Sequence, residues 1–295
     1  MVDTHTHLNF QAFDQDWQQV VEKSLQSGVT RMIIVGTDID SSQKAIKMAS
    51  THPALFASVG IHPHHSRQWA GMANDPASPA RLASKRAGGQ LTITNAIKEL
   101  RKLAKNKKVV AIGEVGLDYH HYQKSKHEDK EVSPQLINLQ KELLLAQIKL
   151  AAKLDKPLIL HSREAKTDVL DLIENWKLEI GNSITGVFHC FDGSKKYAQK
   201  IIDAGFYISF TGNITYNDNR ANIAKSIPLD RLLLETDCPF MKPRPNTGDE
   251  LRALPSDVKI TGQLHAKTRG LTELEVFDTT TKNANLLFKL ASELD

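Results

Sequence analysis

Histidine and acidic residues occur in this sequence where short apolar runs end. His5 and His7 are one residue apart in the first run, so on a β-strand both imidazoles would project from one face, about 6.6 Å apart along the strand. Four later runs end in the same way, at Glu114, His161, His189 and Asp237. Imidazole nitrogens and carboxylate oxygens are common ligands of divalent metal ions. These residue types therefore favour a metal centre.

Short apolar runs alternate with longer amphipathic stretches along the chain. These predict the strands and helices that would position the candidate residues. The runs predict eight strands, at Met1–His7, Arg31–Val35, Leu55–Val59, Val109–Glu114, Pro157–His161, Ile184–His189, Phe206–Phe210 and Leu232–Asp237. The stretches predict helices at Trp17–Ser27, Ser41–Thr51, Pro134–Leu154, Lys166–Trp176, Ser194–Ala204 and Asn217–Ser226. This alternation is typical of an α/β parallel sheet, and eight strands favour a closed (β/α)8 TIM barrel over an open doubly wound sheet. No GxGxxG or P-loop string follows the first strand, which weakens the nucleotide-binding form of the open sheet.

In a TIM barrel the carboxyl ends of all strands meet at one rim, and active sites lie there. Four histidines and two carboxylates aimed at that rim would be costly to leave unpaired in a partly desolvated cleft. A bridging Glu114 gives the set seven metal–ligand bonds, too many for one tetrahedral ion, whereas two ions about 3.5–4 Å apart fit that number. The sequence therefore predicts a dinuclear metal centre. Its ligands suit Mg²⁺, Mn²⁺, Zn²⁺ or Co²⁺, so the identity of the two divalent ions stays open.

Length and composition predict a globular protein without a membrane span. The chain has 295 residues, of which 40% are hydrophobic and 24% charged. No apolar run approaches the roughly 18 residues of a membrane helix, and the amino terminus lacks the basic and apolar pattern of a signal peptide. Two cysteines cannot build a disulfide framework, which favours a reducing compartment. We therefore expect a cytoplasmic protein.

A single domain over residues 1–295 is the simplest organisation, because neither irregular segment has a core of its own. The first, Ser66–Asn95, is weakly patterned and is interpreted as a surface insertion; the second, Lys242–Pro255, is a proline-rich loop. Ser66–Lys108 contains ten basic and two acidic residues, so it carries +8 and leaves −4 for the rest of the chain. Such a segment is either a solvated face or a basic surface that gathers a polyanion.

The strings around the candidate ligands resemble those of the TatD family of metal-dependent deoxyribonucleases, within the amidohydrolase-like metallo-hydrolases. The matching strings are MVDTHTHLN at Met1–Asn9, GIHPH at Gly60–His64, IGEVGLDY at Ile112–Tyr119, KPLILHSREA at Lys156–Ala165, GVFHCF at Gly186–Phe191 and LLLETDCPF at Leu232–Phe240. The resemblance implies a TIM barrel that hydrolyses nucleic-acid phosphodiesters with bound divalent metals. The metal residues that it implies are His5, His7, Glu114, His161, His189 and Asp237.

The mechanism that follows from this resemblance makes Glu114 a bridge between the two ions. The other ligands divide into two sets, His5, His7 and Asp237 on one ion and His161 and His189 on the other. The ions would lower the pKa of a bound water and polarise the phosphoryl oxygen. Asp237 would also accept the proton of that water. Glu114 and Asp237 are therefore the predicted catalytic residues.

Three further residues are predicted to contact the phosphate or the leaving group. His62 and His64 follow the third strand, and Arg163 lies two residues beyond His161. An arginine suits a bidentate phosphate clamp, although a salt bridge to a nearby acid is an alternative, and the two imidazoles could instead only shape their loop. Asp118 could orient a ligand through a hydrogen bond or could simply be a turn residue.

The cysteines and tryptophans are interpreted mainly as packing residues. Cys190 and Cys238 directly follow two candidate ligands, so on a continuing strand they would point to the opposite face, toward the helices. Trp17 and Trp176 fall in helical patterns, and Trp69 is the one candidate for stacking on a base.

Three functions remain open, and the first is favoured. It is a 3′→5′ exodeoxyribonuclease acting on single-stranded DNA, with RNA as a further substrate, and the basic segment suits such a polyanion. The second keeps the metals but hydrolyses small esters or amides, or the ester of aminoacyl-tRNA. The third is a non-catalytic nucleic-acid-binding protein on a relic barrel, which the intact set of candidate ligands disfavours. No membrane contact and no obligate protein partner are expected.

Overall fold

The computed structural model describes residues 1–69, 92–122, 132–181, 183–245 and 252–290. These residues form eight strands, β1 (Val2–Thr6), β2 (Arg31–Val35), β3 (Leu55–Val59), β4 (Val109–Asp118), β5 (Leu158–Arg163), β6 (Gly186–Phe188), β7 (Tyr207–Phe210) and β8 (Leu232–Leu234). Neighbouring strands pair in parallel, in sequence order from β1 to β8. A bridge between Thr6 and Cys238 closes the sheet. The predicted (β/α)8 TIM barrel is confirmed.

Nine α-helices lie in the described residues, and most of them connect consecutive strands. They are α1 (Trp17–Gln26), α2 (Ile39–Ala49), α3 (Ile93–Leu103), α4 (Pro134–Lys153), α5 (Lys166–Ile180), α6 (Lys195–Asp203), α7 (Asp218–Ser226), α8 (Val258–Arg269) and α9 (Glu273–Phe288). Ser133, Ser194 and Thr272 begin helices by accepting a hydrogen bond from a backbone N–H three residues on. Each such bond satisfies one donor that a helix start leaves unpaired.

Five strands end at residues other than the predicted ones, and β1 ends at Thr6, one residue before His7. β4 and β5 continue past Glu114 and His161, whereas β6 and β8 end before His189 and Asp237. Left-handed residues follow the early ends of β6 and β8, because Cys190 has φ +45° and Asp237 has φ +55°. These left-handed conformations cannot continue a strand. His189 and Asp237 therefore lie on turns just beyond their strands.

The interior of the barrel is filled at its amino end by the last turns of α9. Apolar residues from every strand meet in one cluster, which only the inside of a barrel allows. The strand members are Val2, Ile33, Val35, Val110, Ala111, Ile159, Val187 and Leu233, with Phe56 and Tyr207 partly buried beside them. The helix contributes Ala284, Leu287 and Phe288, followed by Leu290. Asn283 fixes this helix by donating its Nδ2 hydrogens to the carbonyls of Leu229 and Leu232.

Several expectations fall outside the described residues. Most of the Ser66–Asn95 segment lies in residues 70–91, which the structure does not describe, so the insertion and the single domain stay predictions. Trp69 is described and is buried, which contradicts its interpretation as a base-stacking residue.

In the described ranges there is no helix of the length and apolarity needed to cross a membrane.

Candidate metal centre

The candidate ligands converge at the carboxyl end of the barrel. Glu114 lies at the middle of the group. Its Oε1 is 3.0 Å from His161 Nδ1 and 2.8 Å from His189 Nε2. Its Oε2 is 3.6 Å from His5 Nε2 and 3.7 Å from His7 Nε2. One carboxylate thus faces imidazoles from three parts of the rim.

Asp237 completes the side of the group that belongs to β1. Its Oδ1 lies 3.6 Å from His5 Nε2 and 3.3 Å from His7 Nε2. The two histidine Nε2 atoms are only 3.1 Å apart. The structure therefore brings together all six residues that the sequence singles out as metal residues.

Two irregularities in strand pairing aim residues into this group. The pairing of β1 with β2 shifts register between Asp3 and Thr6, and that of β4 with β5 shifts between Ile112 and Val115. His5 and Glu114 lie inside these two intervals. A register shift re-aims side chains relative to a regular strand, in which residues on one face are two apart. His5 lies three positions from Val2 of the barrel interior, and Glu114 lies three positions from Ala111 and four from Val110 of the same interior cluster.

The electrostatics of the group hold its carboxylates ionised. Burial by itself would raise the pKa of Glu114, but His62, His189 and His161 hold that pKa well below its usual value. The pKa of Asp237 is lowered in the same way, against burial, by His7 and His5. These acids are thus anionic near neutral pH and available as ligands.

The pKa values of the imidazoles are shifted in different directions by their surroundings. Burial lowers the pKa of His5 and, more strongly, that of His62. Burial would also lower the pKa of His161, but hydrogen bonds with Asp118 and Glu114 raise it to about 9. His161 is thus held by a carboxylate at each ring nitrogen.

The donor set fits divalent metal ions. Three groups have their donor atoms within 4.8 Å of one another, namely His5–His7–Asp237, His5–Glu114–His189 and His62–Glu114–His161. Each group combines imidazole nitrogen with carboxylate oxygen, which is a common protein environment for Zn²⁺ and Mn²⁺. Neither cysteine belongs to any such group among the described residues.

The three groups differ from the predicted division of ligands in two respects, because His189 is grouped with His5 and His161 is grouped with His62. The sequence pairs His161 with His189 and leaves His62 to the substrate. In the structure His62 Nε2 lies 3.4 Å from Glu114 Oε1. This buried histidine is therefore close enough to be a candidate metal ligand as well as a candidate substrate contact. His161 Nδ1 is 3.4 Å from His189 Nε2, so the predicted pair is also adjacent.

Asp118 organises the wall of the centre beside β4 and β5. Its Oδ2 accepts a 2.6 Å hydrogen bond from the hydroxyl of Tyr122 and lies 3.0 Å from His161 Nε2 and 2.9 Å from His64 Nε2. Asp118 is therefore more than a turn residue, because it orients two histidines. Arg163 donates to the Tyr122 hydroxyl at 3.0 Å, and its guanidinium lies 4.9 Å from the centre of that ring. Among the residues that the structure describes, Arg163 contacts this tyrosine and forms no salt bridge.

Two buried acids near the centre have no role in the sequence-based prediction. Glu235 accepts hydrogen bonds from Cys190 N–H at 2.5 Å and Ser209 Oγ at 2.7 Å, and lies 3.7 Å from His189 Nδ1. Asp3 accepts from the hydroxyl of Thr236 at 2.6 Å, and burial raises its pKa well above the usual value. The signal for both was a carboxylate inside or next to an apolar run.

The cysteines match the packing interpretation only in part. Cys238 is buried, whereas Cys190 is partly exposed. The left-handed turn at Cys190 ends the strand, so the assumption of continuing extension is wrong there. Its sulfur instead lies 3.7 Å from Thr211 Oγ1 and 3.5 Å from Asn213 Nδ2.

A TIM barrel whose carboxyl-end mouth gathers histidines and carboxylates has the architecture of a metal-dependent hydrolase. The chain belongs to the family of TatD-related DNases, whose family model matches residues 2–289. It is 33% identical over 293 residues to an uncharacterized metal-dependent hydrolase, YabD, of Bacillus subtilis (strain 168), covering 98% of this chain and 99% of that protein.

Two further similar proteins also match over nearly the whole chain. The 3′-5′ ssDNA/RNA exonuclease TatD of Pantoea vagans (strain C9-1) is 32% identical over 301 residues, covering 99% of this chain and 100% of that protein. The crystal structure of YJJV, a TatD homolog from Escherichia coli K12, has a TM-score of 0.77 at 25% identity and covers 98% of each chain. The present chain is thus an enzyme, a metal-dependent hydrolase of ester bonds.

Proposed function

We propose that this protein is a 3′→5′ exonuclease that hydrolyses phosphodiester bonds of single-stranded DNA, and of RNA as well. The observation that carries the proposal is the convergence of five imidazoles and two carboxylates around Glu114, in a chain similar over its length to an exonuclease. A phosphodiester is an anion, and a cluster that binds cations at an open rim suits its hydrolysis.

Two divalent ions, Mg²⁺, Mn²⁺ or Zn²⁺, are the proposed cofactors. His5, His7 and Asp237 would hold one, His161 and His189 the other, and Glu114 would lie between them. When bound, the ions supply a water of lowered pKa and neutralise charge on the phosphoryl group. His62 borders the second set through its contact with Glu114.

Asp237 is the proposed acceptor of the proton from the attacking water. Neighbouring imidazoles keep the pKa of this buried carboxylate below its usual value, so it is ionised and can accept a proton at neutral pH. It is held by a left-handed turn just beyond β8, next to His7. Geometry and charge therefore favour Asp237 over Asp118, whose Oδ2 is already occupied by three partners.

Substrate contacts are assigned to His62, His64 and Arg163. His62 lies deepest, beside Glu114, and is proposed to contact the scissile phosphate. His64 is less buried and is oriented by Asp118, and Arg163 is exposed at the end of β5. A guanidinium fixed by the Tyr122 hydroxyl is pre-oriented for a phosphate farther along the strand.

The deciding experiment is a gel assay of 5′-labelled single-stranded DNA with purified protein. The protein is tested without metal and then with Mg²⁺, Mn²⁺ or Zn²⁺, and a Glu114→Gln variant is the control. A metal-dependent ladder that shortens from the 3′ end, absent in the variant, is expected. Absence of cleavage with every metal, while a small ester is hydrolysed, would reject the nuclease and favour the alternative substrate class.

A further inference from the structure

The β1 and β8 side of the mouth carries two phenylalanines that the proposed chemistry does not use. Phe10 lies shortly after β1, and Phe240 lies shortly after β8. The Phe240 N–H donates to the carbonyl of Asp237 at 2.9 Å, so a tight turn fixes its position next to that carboxylate. The Phe240 ring centre is 6.3 Å from that of His7. Both rings therefore border the centre directly.

Phe240 is exposed in spite of being aromatic. Half of its surface, 50%, is open to solvent. The other large apolar side chains exposed within the described ranges are all leucines on or beside α5 and α9, namely Leu178, Leu271, Leu274 and Leu286. Burial of a phenylalanine is worth about 1.5–3 kcal/mol, so packing alone does not account for an open ring at the rim of an active site.

Phe10 backs this exposed ring. Its ring stacks on His7, with centres 4.3 Å apart and planes inclined by 18°. Phe240 meets Phe10 edge-on, with centres 6.2 Å apart and planes inclined by 78°. Edge-to-face pairs are a favourable arrangement of aromatic rings. Phe10 is thus committed to His7 on one face, and Phe240 is the ring left open to a ligand.

We propose that Phe240, supported by Phe10, stacks on the unpaired nucleobase of a nucleotide adjoining the scissile phosphate; this rests on the nuclease function proposed above. Aromatic rings stack on every base, because each base has a π-face, so the contact selects unpaired nucleotides and not a sequence. The phosphate contact Arg163 lies on β5, across the barrel from β1 and β8 in the strand order. A single strand that crosses the mouth would meet Arg163 on one side and Phe240 on the other.

A stacking ring at this position would favour unpaired ends. In a duplex the terminal base is already stacked and paired, and removing it from the stack costs a few kcal/mol. Only a frayed or single-stranded end offers its base to Phe240 without that cost.

The test compares Phe240→Ala and Phe240→Tyr with the wild-type enzyme in the presence of metal. Leu178→Ala is the matched control, because it removes an exposed apolar side chain near the carboxyl-terminal end of α5. The substrates are single-stranded oligonucleotides with all bases, and the same oligonucleotides lacking the base at the last or at the penultimate nucleotide. We expect Phe240→Ala to lower kcat/KM on the complete oligonucleotide on the order of 10-fold. Phe240→Tyr and Leu178→Ala should retain wild-type values, and on one base-deficient substrate Phe240→Ala should equal wild type.

Equilibrium binding provides a second readout that needs no turnover. Oligonucleotides with 2-aminopurine at each of those positions are titrated with protein in chelator, and stacking on Phe240 quenches the probe. Quenching by wild type and Phe240→Tyr but not by Phe240→Ala is expected. Equal quenching by all three, or equal cleavage of every substrate, overturns the stacking site while leaving the nuclease intact. A wild-type enzyme that cleaves no nucleic acid with any metal overturns both proposals.

Discussion

The two ends of the barrel bury their residues by opposite chemistry. At the amino end, side chains such as Val2 and Leu233 pack against Phe288 of α9 in a wholly apolar cluster. At the carboxyl end, His5 and Glu114 are buried to a similar degree but among charged and polar groups. Apolar burial stabilises the fold, whereas buried ionisable groups lower stability unless partners compensate them. The fold is therefore stabilised at one end of the strands, and the proposed activity lies at the other.

Replacing Glu114 by glutamine should have the largest effect and should act on only one end. The neutral amide keeps the shape but removes the charge that five imidazoles face. Since metal ions supply several kcal/mol to phosphoryl chemistry and 1.36 kcal/mol is tenfold, kcat/KM on DNA should fall by about 10³-fold or more. Glu142→Gln, an exposed change on α4, is the control. Retained activity in Glu114→Gln would contradict a role for this carboxylate.

Truncating Phe288, in the last turns of α9 that fill the amino end of the barrel, should have the reverse pattern. Phe288→Ala opens a cavity in the amino-end cluster, and the free energy of unfolding should fall by about 3–5 kcal/mol. Leu286→Ala, on the same helix but 63% exposed, should change it by less than about 0.5 kcal/mol. Chemical denaturation measures both. Activity per folded molecule should stay at the wild-type value, and a loss of activity without a loss of stability would show that the ends are not separate.

Removing the metal should change the free energy of unfolding only through the carboxyl end of the barrel, and one measurement can show this. Metal at about 100 times its dissociation constant should raise the unfolding free energy by about 2.7 kcal/mol over protein in chelator. Phe288→Ala should gain the same increment, because distant sites act additively. Glu114→Gln should gain little. Thermal unfolding with chelator or with Mn²⁺ compares them, and an equal gain in all three proteins would place the stabilising ion elsewhere.

His265 tests what a buried histidine does without carboxylate partners. It lies on α8, with its ring centre 5.6 Å from that of Phe210, and burial lowers its pKa to about 3. Between pH 6.5 and 3 the unfolded chain binds a proton that the folded protein excludes, so stability falls as the pH falls. From pH 6.5 to 5 this loss is about 2 kcal/mol, at 1.36 kcal/mol per pH unit.

His265→Leu should remove that part of the pH dependence. Urea unfolding of both proteins in chelator, at pH 7 and pH 5, measures the difference, and the contribution of the mouth cancels in the comparison. Identical pH dependence would mean that His265 is not held neutral by its surroundings.

Much of the barrel and the identity of its polar residues could be predicted because local patterns encode them. Alternating apolar runs gave strands such as Arg31–Val35 with the bounds that the structure has. The spacing of His5 and His7 placed both on one face, and the end of an apolar run indicated His161, although β5 continues past it.

Other features depend on pairing between distant segments and left no local pattern. The depth of His62 follows from how its loop meets Glu114, and the position of Tyr122 follows from Asp118, to which it donates. The amphipathic pattern of α9 shows that one face is buried but not that it closes the barrel. Left-handed conformations at Cys190 and Asp237 follow two strands, and neither residue is the glycine that would have indicated such a conformation in the sequence.

The register shifts in β1 and β4 make each of these strands a composite of two segments in different phase. Val2 and Ala111, before the shifts, belong to the apolar cluster at the amino end, whereas His5 and Glu114, inside the shifted intervals, belong to the candidate metal centre. Substitutions can therefore accumulate in one segment without constraining the other. Loss or gain of one residue inside the interval from Asp3 to Thr6 would rotate the histidines away while leaving Val2 in place. The residues of the candidate metal centre could therefore change while the apolar cluster at the amino end is kept.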